Sequence, residues 1–207
     1  MSDYFESFSR SRKIAPAVLA AALSACATET VLLNSERIER QFGSYGIDVL
    51  ASEAGVRRSS LYSLSEDGQT CRTYAVVRFT KELDSSYGPL HAKVLAGNSL
   101  GKVFKENGWS IHKQTLHIGE FVVAESATDI IQLMQLADDQ TLALHVYQLL
   151  LAKDERVFEY ATIIEAHHPD YLSRDDLLDI YHYDESDALS AESISALITL
   201  LSDNRTE

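Results

Sequence analysis

Hydrophobic and polar residues alternate along most of the middle of the chain and recur at helical spacing at both ends. Alternation of this kind predicts half-buried strands, and apolar positions three or four apart predict amphipathic helices. The predicted strands cover 46–52, 56–64, 70–80, 109–123, 141–151 and 156–168. The predicted helices cover 15–42, 89–107 with a break at Gly97-Asn98, 127–136, 173–182 and 190–202.

The grouping of these segments predicts the fold class. Strands joined in hairpins, with helices at the ends and in the middle, indicate an α+β fold with an antiparallel β-sheet and flanking helices. Pro169 ends the last strand because proline cannot donate a ladder hydrogen bond. We therefore expect one domain over 1–169 and an acidic helical extension over 170–207, packed on or beside it.

The Asp67-Gly68 pair between two alternating segments is the strongest hairpin signal in the chain. A turn centred there places Arg57 directly opposite Arg78 on one face of the hairpin, and Arg58 on the other face. Like charges directly opposite are destabilising, so such a pair indicates a bound anion or nearby carboxylates. The alternatives are two solvated surface arginines, or a turn register that separates them.

Charge is distributed unevenly along the 207 residues, whose formal net charge is -13. Residues 119–207 contain 19 acidic and 4 basic residues, whereas residues 1–118 contain 12 acidic and 14 basic residues. An acidic protein repels nucleic acid and anionic lipid surfaces, so neither is expected as a partner. A small anion is expected to bind in the first half, where the basic residues are concentrated.

Cysteines and histidines give no sign of a metal or redox site. Cys26 and Cys71 have no ligand or redox spacing, and the seven histidines contain no His-Glu-x-x-His motif. We therefore expect no metal, no cofactor and a cytoplasmic protein with reduced thiols. The alternative is that the protein is a lipoprotein anchored through Cys26, because Leu23-Ser24-Ala25 before this cysteine resembles a lipoprotein signal.

Glu165 closes an apolar strand, where a carboxylate is either buried with a partner or placed at the rim of a pocket. Several short motifs precede it in a characteristic order. They are Leu33–Phe42 followed by Gly46–Val49, Val56-Arg57-Arg58, Arg78, Gly88-Pro89, Ser99-Leu100-Gly101 and finally Glu165 to Pro169. In order and spacing, these motifs resemble those of the chorismate lyase (chorismate–pyruvate lyase) family.

This resemblance implies a chorismate lyase-like fold and an enzyme that eliminates pyruvate from chorismate to give a hydroxybenzoate. It implies that Arg57 and Glu165 are the catalytic residues. The Arg57 guanidinium would bind a substrate carboxylate through two parallel hydrogen bonds, and Glu165 would contact the 4-hydroxyl. Arg58 would replace Arg57 if the register shifts by one residue, Arg78 would assist, and Leu100 would pack on the ring. The ligand would be a small anionic aromatic or pre-aromatic molecule.

The chain also departs from the family pattern. Histidines occupy positions 167 and 168, where the family has apolar residues, and the acidic extension has no family counterpart. One alternative is therefore a non-catalytic protein of the same fold that binds an aromatic carboxylate. Another is self-association through the acidic C-terminal helices.

Overall fold

Six antiparallel strands form one sheet in the described part of the chain, in the order β1-β2-β3-β6-β5-β4. The computed structural model describes residues 32–81, 83–123, 128–137, 140–183 and 191–202. The strands are β1 (Gly46–Glu53), β2 (Val56–Ser65), β3 (Gly68–Phe79), β4 (Ser110–Val122), β5 (Thr141–Lys153) and β6 (Arg156–His167). The α-helices are α1 (Asn34–Phe42), α2 (Gly88–Leu95), α3 (Leu100–Glu106), α4 (Thr128–Met134), α5 (Arg174–Tyr181) and α6 (Ala191–Ser202).

The predicted α+β class, an antiparallel sheet with flanking helices, is confirmed. Each predicted strand between 46 and 168 corresponds to an observed strand, and the predicted break at Gly97-Asn98 separates α2 from α3. The predicted helix over 15–31 lies outside the described residues, as does Cys26. None of the described helices is both long enough and apolar enough to span a bilayer.

The predicted register of the β2–β3 hairpin is wrong by one residue at its open end. Ser65 pairs with Gly68, so the turn is Glu66-Asp67, and a bulge then shifts the pairing beyond Leu61. Arg57 lies opposite Val77, and Arg78 lies opposite Val56. Because neighbouring residues on a strand point to opposite faces, the side chains of Arg57 and Arg78 occupy different faces of the sheet.

One face of the sheet, here called the α1 face, supports the site described below. It carries a row of cross-strand neighbours, Arg57, Val77, Ile163 and Tyr147, contributed by β2, β3, β6 and β5 in turn. The buried residues that pack with this row come mainly from α2, α3 and the strand ends, and include Val94, Val103, Phe104, Trp109 and Tyr160.

The start of the acidic extension is part of the hydrophobic core. Leu177 of α5 is fully buried and belongs to the same cluster as Ile38 of α1 and Ala75 of β3. The buried Tyr171 donates a hydrogen bond to Asn34 Oδ1 at 2.6 Å, and Asn34 Nδ2 donates to Thr73 Oγ1 at 3.1 Å. Apolar packing and a buried polar chain therefore join α5 and its preceding loop to α1 and the sheet.

Candidate small-ligand cavity

A cavity lies between the α1 face of the sheet and the N-terminal ends of α1 and α3. Its lining is mainly apolar, with Leu33, Ile47, Leu61, Ala75, Val77, Leu100, Ile111, Leu149 and Ile163 among the contributing residues. The space free of protein atoms, counted out to the open mouth, is about 590 Å³. Because this figure includes solvent at the open mouth, it is an upper bound, and the cavity holds at most a small molecule.

A glycine allows the helical wall to lie close to the chain before α1. A Cβ added at Gly101 would lie 2.9 Å from both Cδ atoms of Leu33, closer than real Cβ contacts. Both residues line the cavity, together with Leu100 at the first position of α3. Any larger residue at position 101 would require the Leu33 side chain, or α3 itself, to shift.

Arg57 places a buried guanidinium in this cavity. Its side chain is 1% exposed, its Nε donates to Ser59 Oγ at 3.0 Å, and one terminal nitrogen, Nη1, donates to two carbonyl oxygens. One is the oxygen of Val94, near the C-terminal end of α2, at 2.9 Å. The other is the oxygen of Asn98, in the loop that follows α2, at 3.1 Å. The other terminal nitrogen, Nη2, is buried without a hydrogen-bond partner among the residues that the structure describes.

The charge of Arg57 also lacks a counterion among the described residues. Burial lowers the pKa of Arg57, and the groups that oppose this shift are the Tyr45 and Tyr160 hydroxyls rather than a carboxylate. Arginine stays protonated at any physiological pH even when buried, so the site carries a full positive charge. A buried charge of this kind is costly unless a partner of opposite sign completes it.

Tyr45 adds a second donor to the same cavity. Its hydroxyl is buried and lies near Ser99, without a hydrogen bond of good geometry in the described structure, and Tyr45 lines the cavity with Arg57. Burial raises the pKa of Tyr45, so the phenol is neutral and can donate. The unpartnered Nη2 of Arg57 and the weakly bonded hydroxyl of Tyr45 suit an acceptor such as a carboxylate.

Glu165 and Lys113 form a buried ion pair in the cavity lining. Lys113 Nζ lies 3.5 Å from Glu165 Oε2, and the two side chains are 10% and 6% exposed. Tyr147 donates to Glu165 Oε1 at 3.0 Å, and the Lys113 ammonium lies 4.3 Å from the centre of the Tyr147 ring. Burial alone would raise the pKa of Glu165, but Lys113, His167 and the Tyr147 hydroxyl together lower it.

Lys113 is held in its charged form by the same contacts. Burial opposes the charge, but Glu165 and the surrounding tyrosines raise the pKa of Lys113 well above its usual value. Both members of the pair are therefore ionised at neutral pH.

Two buried histidines surround the same carboxylate. His167 Nε2 lies 3.9 Å and His145 Nδ1 lies 4.0 Å from Glu165 Oε2, and neither nitrogen has a hydrogen-bond partner in the described part of the chain. The opposite ring nitrogens contact Thr73 Oγ1 and Thr115 Oγ1, each at 3.0 Å. Burial lowers the pKa of both histidines, that of His167 to about 4, so both rings are neutral at pH 7.

The cavity brings together three of the five residues selected from the sequence. Arg57, Leu100 and Glu165 all line it. Arg58 and Arg78 do not, because the register of β2 and β3 turns both side chains to the opposite face. Arg58 is instead hydrogen-bonded to Tyr74 on that face, so its proposed role as a substitute for Arg57 does not fit the observed sheet.

Sequence reasoning missed Tyr45, Lys113 and Tyr147, which complete the polar part of the cavity. One signal for Lys113 was available, because it lies two residues after Ile111 on β4 and therefore shares the face of that apolar residue. A lysine at an inward-facing strand position indicates a buried pair or a ligand contact. Tyr45 precedes β1, and no pattern of neighbouring residues indicated its burial.

The charged groups in the cavity lining are Arg57, Lys113 and Glu165, which together carry one net positive charge. A single negative charge on a ligand would balance them. In the described part of the chain, no group of three or more His, Cys, Asp or Glu side chains could hold a metal ion.

Comparisons with known proteins give limited information. No family model matches the chain, and no curated protein matches it. Among solved structures, the transcriptional regulator (GntR family) from Enterococcus faecalis V583 is similar, with 13% identity and a TM-score of 0.37. The match covers 63% of this chain and 93% of that chain. At this level of similarity it assigns neither a family nor a function.

Proposed function

We propose that the protein binds a small aromatic monocarboxylate in this cavity, with the carboxylate on Arg57. The observation that supports this most strongly is the buried Nη2 of Arg57, a residue of the cavity lining, because this nitrogen has no hydrogen-bond partner among the described residues. The other guanidinium nitrogens are already bound to Ser59, Val94 and Asn98 and fix the orientation of the group. A carboxylate oxygen at Nη2 would satisfy the last donor and neutralise the charge.

Charge balance favours one carboxylate over two. Lys113 is already paired with Glu165, so Arg57 is the cation left for the ligand. A dianion would place its second carboxylate in an apolar lining or beside Glu165, and either position is unfavourable. The remaining surface comes from aliphatic side chains such as Leu100, Val77 and Ile163, which suit the faces of an aromatic ring.

Calorimetric titration with benzoate tests this proposal. We expect the wild type to bind benzoate and Arg57→Met to lose at least about tenfold in affinity, since a charged hydrogen bond contributes about 1.5–3 kcal/mol and about 1.4 kcal/mol is tenfold. Arg40→Met is the matched control, because Arg40 is an exposed arginine of α1 and the charge change is the same. Equal affinity of Arg57→Met and the wild type would contradict the proposal, as would absence of binding to the wild type.

Elimination of pyruvate from chorismate is a second candidate function. It is favoured by the presence in one cavity of Arg57, Leu100 and Glu165, three of the five residues that the resemblance connects with substrate. This elimination relies mainly on orientation and electrostatic stabilisation, which a cavity with fixed donors can supply. Because chorismate has two carboxylates, turnover also requires Lys113 to be shared between Glu165 and substrate.

Pyruvate release distinguishes the two candidates. A lyase would form pyruvate and a hydroxybenzoate from chorismate in equal amounts, and Arg57→Met would abolish this activity. A protein that binds benzoate but releases no pyruvate above the uncatalysed rate is a binding protein rather than a lyase.

A further inference from the structure

A chain of buried side chains leads from the acidic extension to Glu165. Tyr171 donates to Asn34 Oδ1 at 2.6 Å, and Asn34 Nδ2 donates to Thr73 Oγ1 at 3.1 Å. Thr73 Oγ1 lies 3.0 Å from His167 Nδ1, and His167 Nε2 lies 3.9 Å from Glu165 Oε2. All of these residues are at most 8% exposed, so their polar groups depend on one another for hydrogen bonds.

The two distances at Asn34 fix the direction of this chain. A separation of 2.6 Å is normal for an O–H···O bond but short for an N–H···O bond, whereas 3.1 Å suits an N–H···O bond. Burial also raises the pKa of Tyr171, so its hydroxyl keeps the proton that it donates. Asn34 therefore accepts from Tyr171 and donates to Thr73.

The same direction sets the tautomer of His167. The Thr73 oxygen accepts from Asn34, and the only other hydrogen-bond partner of this hydroxyl among the described residues is His167 Nδ1. The hydroxyl proton is therefore directed to Nδ1. His167 is neutral at pH 7, because burial lowers its pKa to about 4. A neutral imidazole that accepts at Nδ1 carries its own proton on Nε2, the nitrogen nearest Glu165.

A proton on Nε2 favours the ionised form of Glu165. At 3.9 Å the contact is too long for a hydrogen bond, but the N–H group brings a positive partial charge close to Oε2. The opposite tautomer would bring a lone pair to the same place and repel the carboxylate. The chain therefore helps to keep Glu165 charged and paired with Lys113.

We propose that Tyr171 is a positioning residue, which acts through Asn34 and Thr73 to fix His167 as the tautomer protonated on Nε2. Tyr171 lies in the acidic extension, two residues after Pro169. The extension thereby controls the surroundings of a charged group in the cavity lining. This inference goes beyond the proposed function, because it holds for any ligand.

Long-range proton–nitrogen NMR correlation spectra at pH 7 test the proposal, since they show which ring nitrogen of a histidine carries the proton. We expect the wild type to hold His167 as one tautomer, protonated on Nε2. Tyr171→Phe removes the hydroxyl that orients the Asn34 amide, so both tautomers should be populated. Tyr183→Phe is the matched control, because the Tyr183 hydroxyl donates outside the chain, to Leu116 O at 3.0 Å, and this variant should keep the single tautomer.

Asn34→Asp tests the direction of the chain even if Tyr171→Phe does not fold. Asn34 is the first residue of α1, where a carboxylate is favourable. The new carboxylate can only accept, so Tyr171 and Thr73 should both donate to it. Thr73 must then accept from His167 Nδ1, and the spectra should show the opposite tautomer.

Titration of the Glu165 side-chain carboxyl, followed by carbon NMR, tests the link to the cavity. Its midpoint should move to higher pH in Tyr171→Phe and stay unchanged in Tyr183→Phe. Both variants keep the other charged and titratable groups that act on Glu165, on its partner Lys113 or on His167. These groups are Lys113 of β4, His145 and Tyr147 of β5, Tyr181 of α5, Arg37 of α1 and Tyr45 before β1.

Three results would overturn this inference. They are a wild-type His167 protonated on Nδ1, an unchanged single tautomer in Tyr171→Phe or Asn34→Asp, and a Glu165 midpoint that does not move in Tyr171→Phe. Benzoate binding is measured separately, so a wild type that binds no benzoate would contradict the proposed function and leave this inference standing.

Discussion

The buried pair of Lys113 and Glu165 gives a sharp prediction about stability. Replacement of Lys113 by Met keeps a side chain of similar length but leaves the Glu165 carboxylate, 6% exposed, without its cation. Removal of one member of a buried ion pair costs about 3–5 kcal/mol. For a chain of this size, such a loss lowers Tm by roughly 6–20 °C, at about 2–4 °C per kcal/mol.

The pH dependence identifies the unpaired carboxylate as the cause. In the wild type, Lys113 and Tyr147 overcome the burial that would raise the pKa of Glu165. Without Lys113, burial dominates and the pKa of Glu165 rises above its unfolded value of about 4.3. A group whose pKa is higher in the folded than in the unfolded state stabilises the fold most at pH values below its unfolded pKa. This stabilisation is lost as the pH increases. The deficit of Lys113→Met should therefore shrink as pH falls from 7 towards 4.5.

The loss of stability and its pH dependence are both measured by urea unfolding at several pH values. The proteins compared are the wild type, Lys113→Met and Lys113→Met/Glu165→Gln. The double variant should recover at least half of the loss at pH 7, because it buries no unpaired charge. A deficit below 1 kcal/mol in the single variant would refute this account of the pair. A deficit that does not change between pH 7 and pH 5 would refute it equally.

Three further predictions concern the core, a buried histidine and a helix cap. Leu177→Ala should cost about 2–5 kcal/mol in urea unfolding because Leu177 is fully buried, and a loss below 1 kcal/mol would exclude α5 from the core. Burial lowers the pKa of His167 to about 4, so its ring resonances should show a neutral imidazole at pH 5.5, and stability should fall from pH 6.5 to 4. A midpoint near 6.5 would contradict this. Ser173 accepts from Asp176 N at 3.2 Å, so thermal unfolding of Ser173→Ala should show a loss of about 0.5–2 kcal/mol. Unchanged stability would show that the cap contributes nothing.

The sequence was sufficient to predict the order and type of the elements because alternation is strong in this sheet. Strands β5 and β6 each carry long apolar segments, and the two-residue turn between Lys153 and Arg156 separates them clearly. Register was harder to predict, because the pairing of β2 with β3 shifts between Leu61 and Tyr62. Such a bulge leaves no mark in the pattern of apolar residues, and a shift of one residue moves a side chain to the other face.

The candidate site was only partly predictable for a related reason. Motif order selected Arg57, Leu100 and Glu165, all of which line the cavity. Lys113 was missed because its partner Glu165 is 52 positions away and is brought near it by strand pairing across β5. A long-range pair of this kind appears only when the strand order is known.

The central claim is that Arg57 receives a ligand carboxylate inside the cavity. A crystal structure of the protein soaked with 4-bromobenzoate tests this most directly, since the bromine gives an anomalous signal that fixes the orientation of the ring. We expect a carboxylate oxygen within about 2.7–2.9 Å of Arg57 Nη2 and the bromine directed towards Lys113. A bromine peak outside the cavity would contradict the account, and so would an Arg57 Nη2 that is already paired with a carboxylate of the protein.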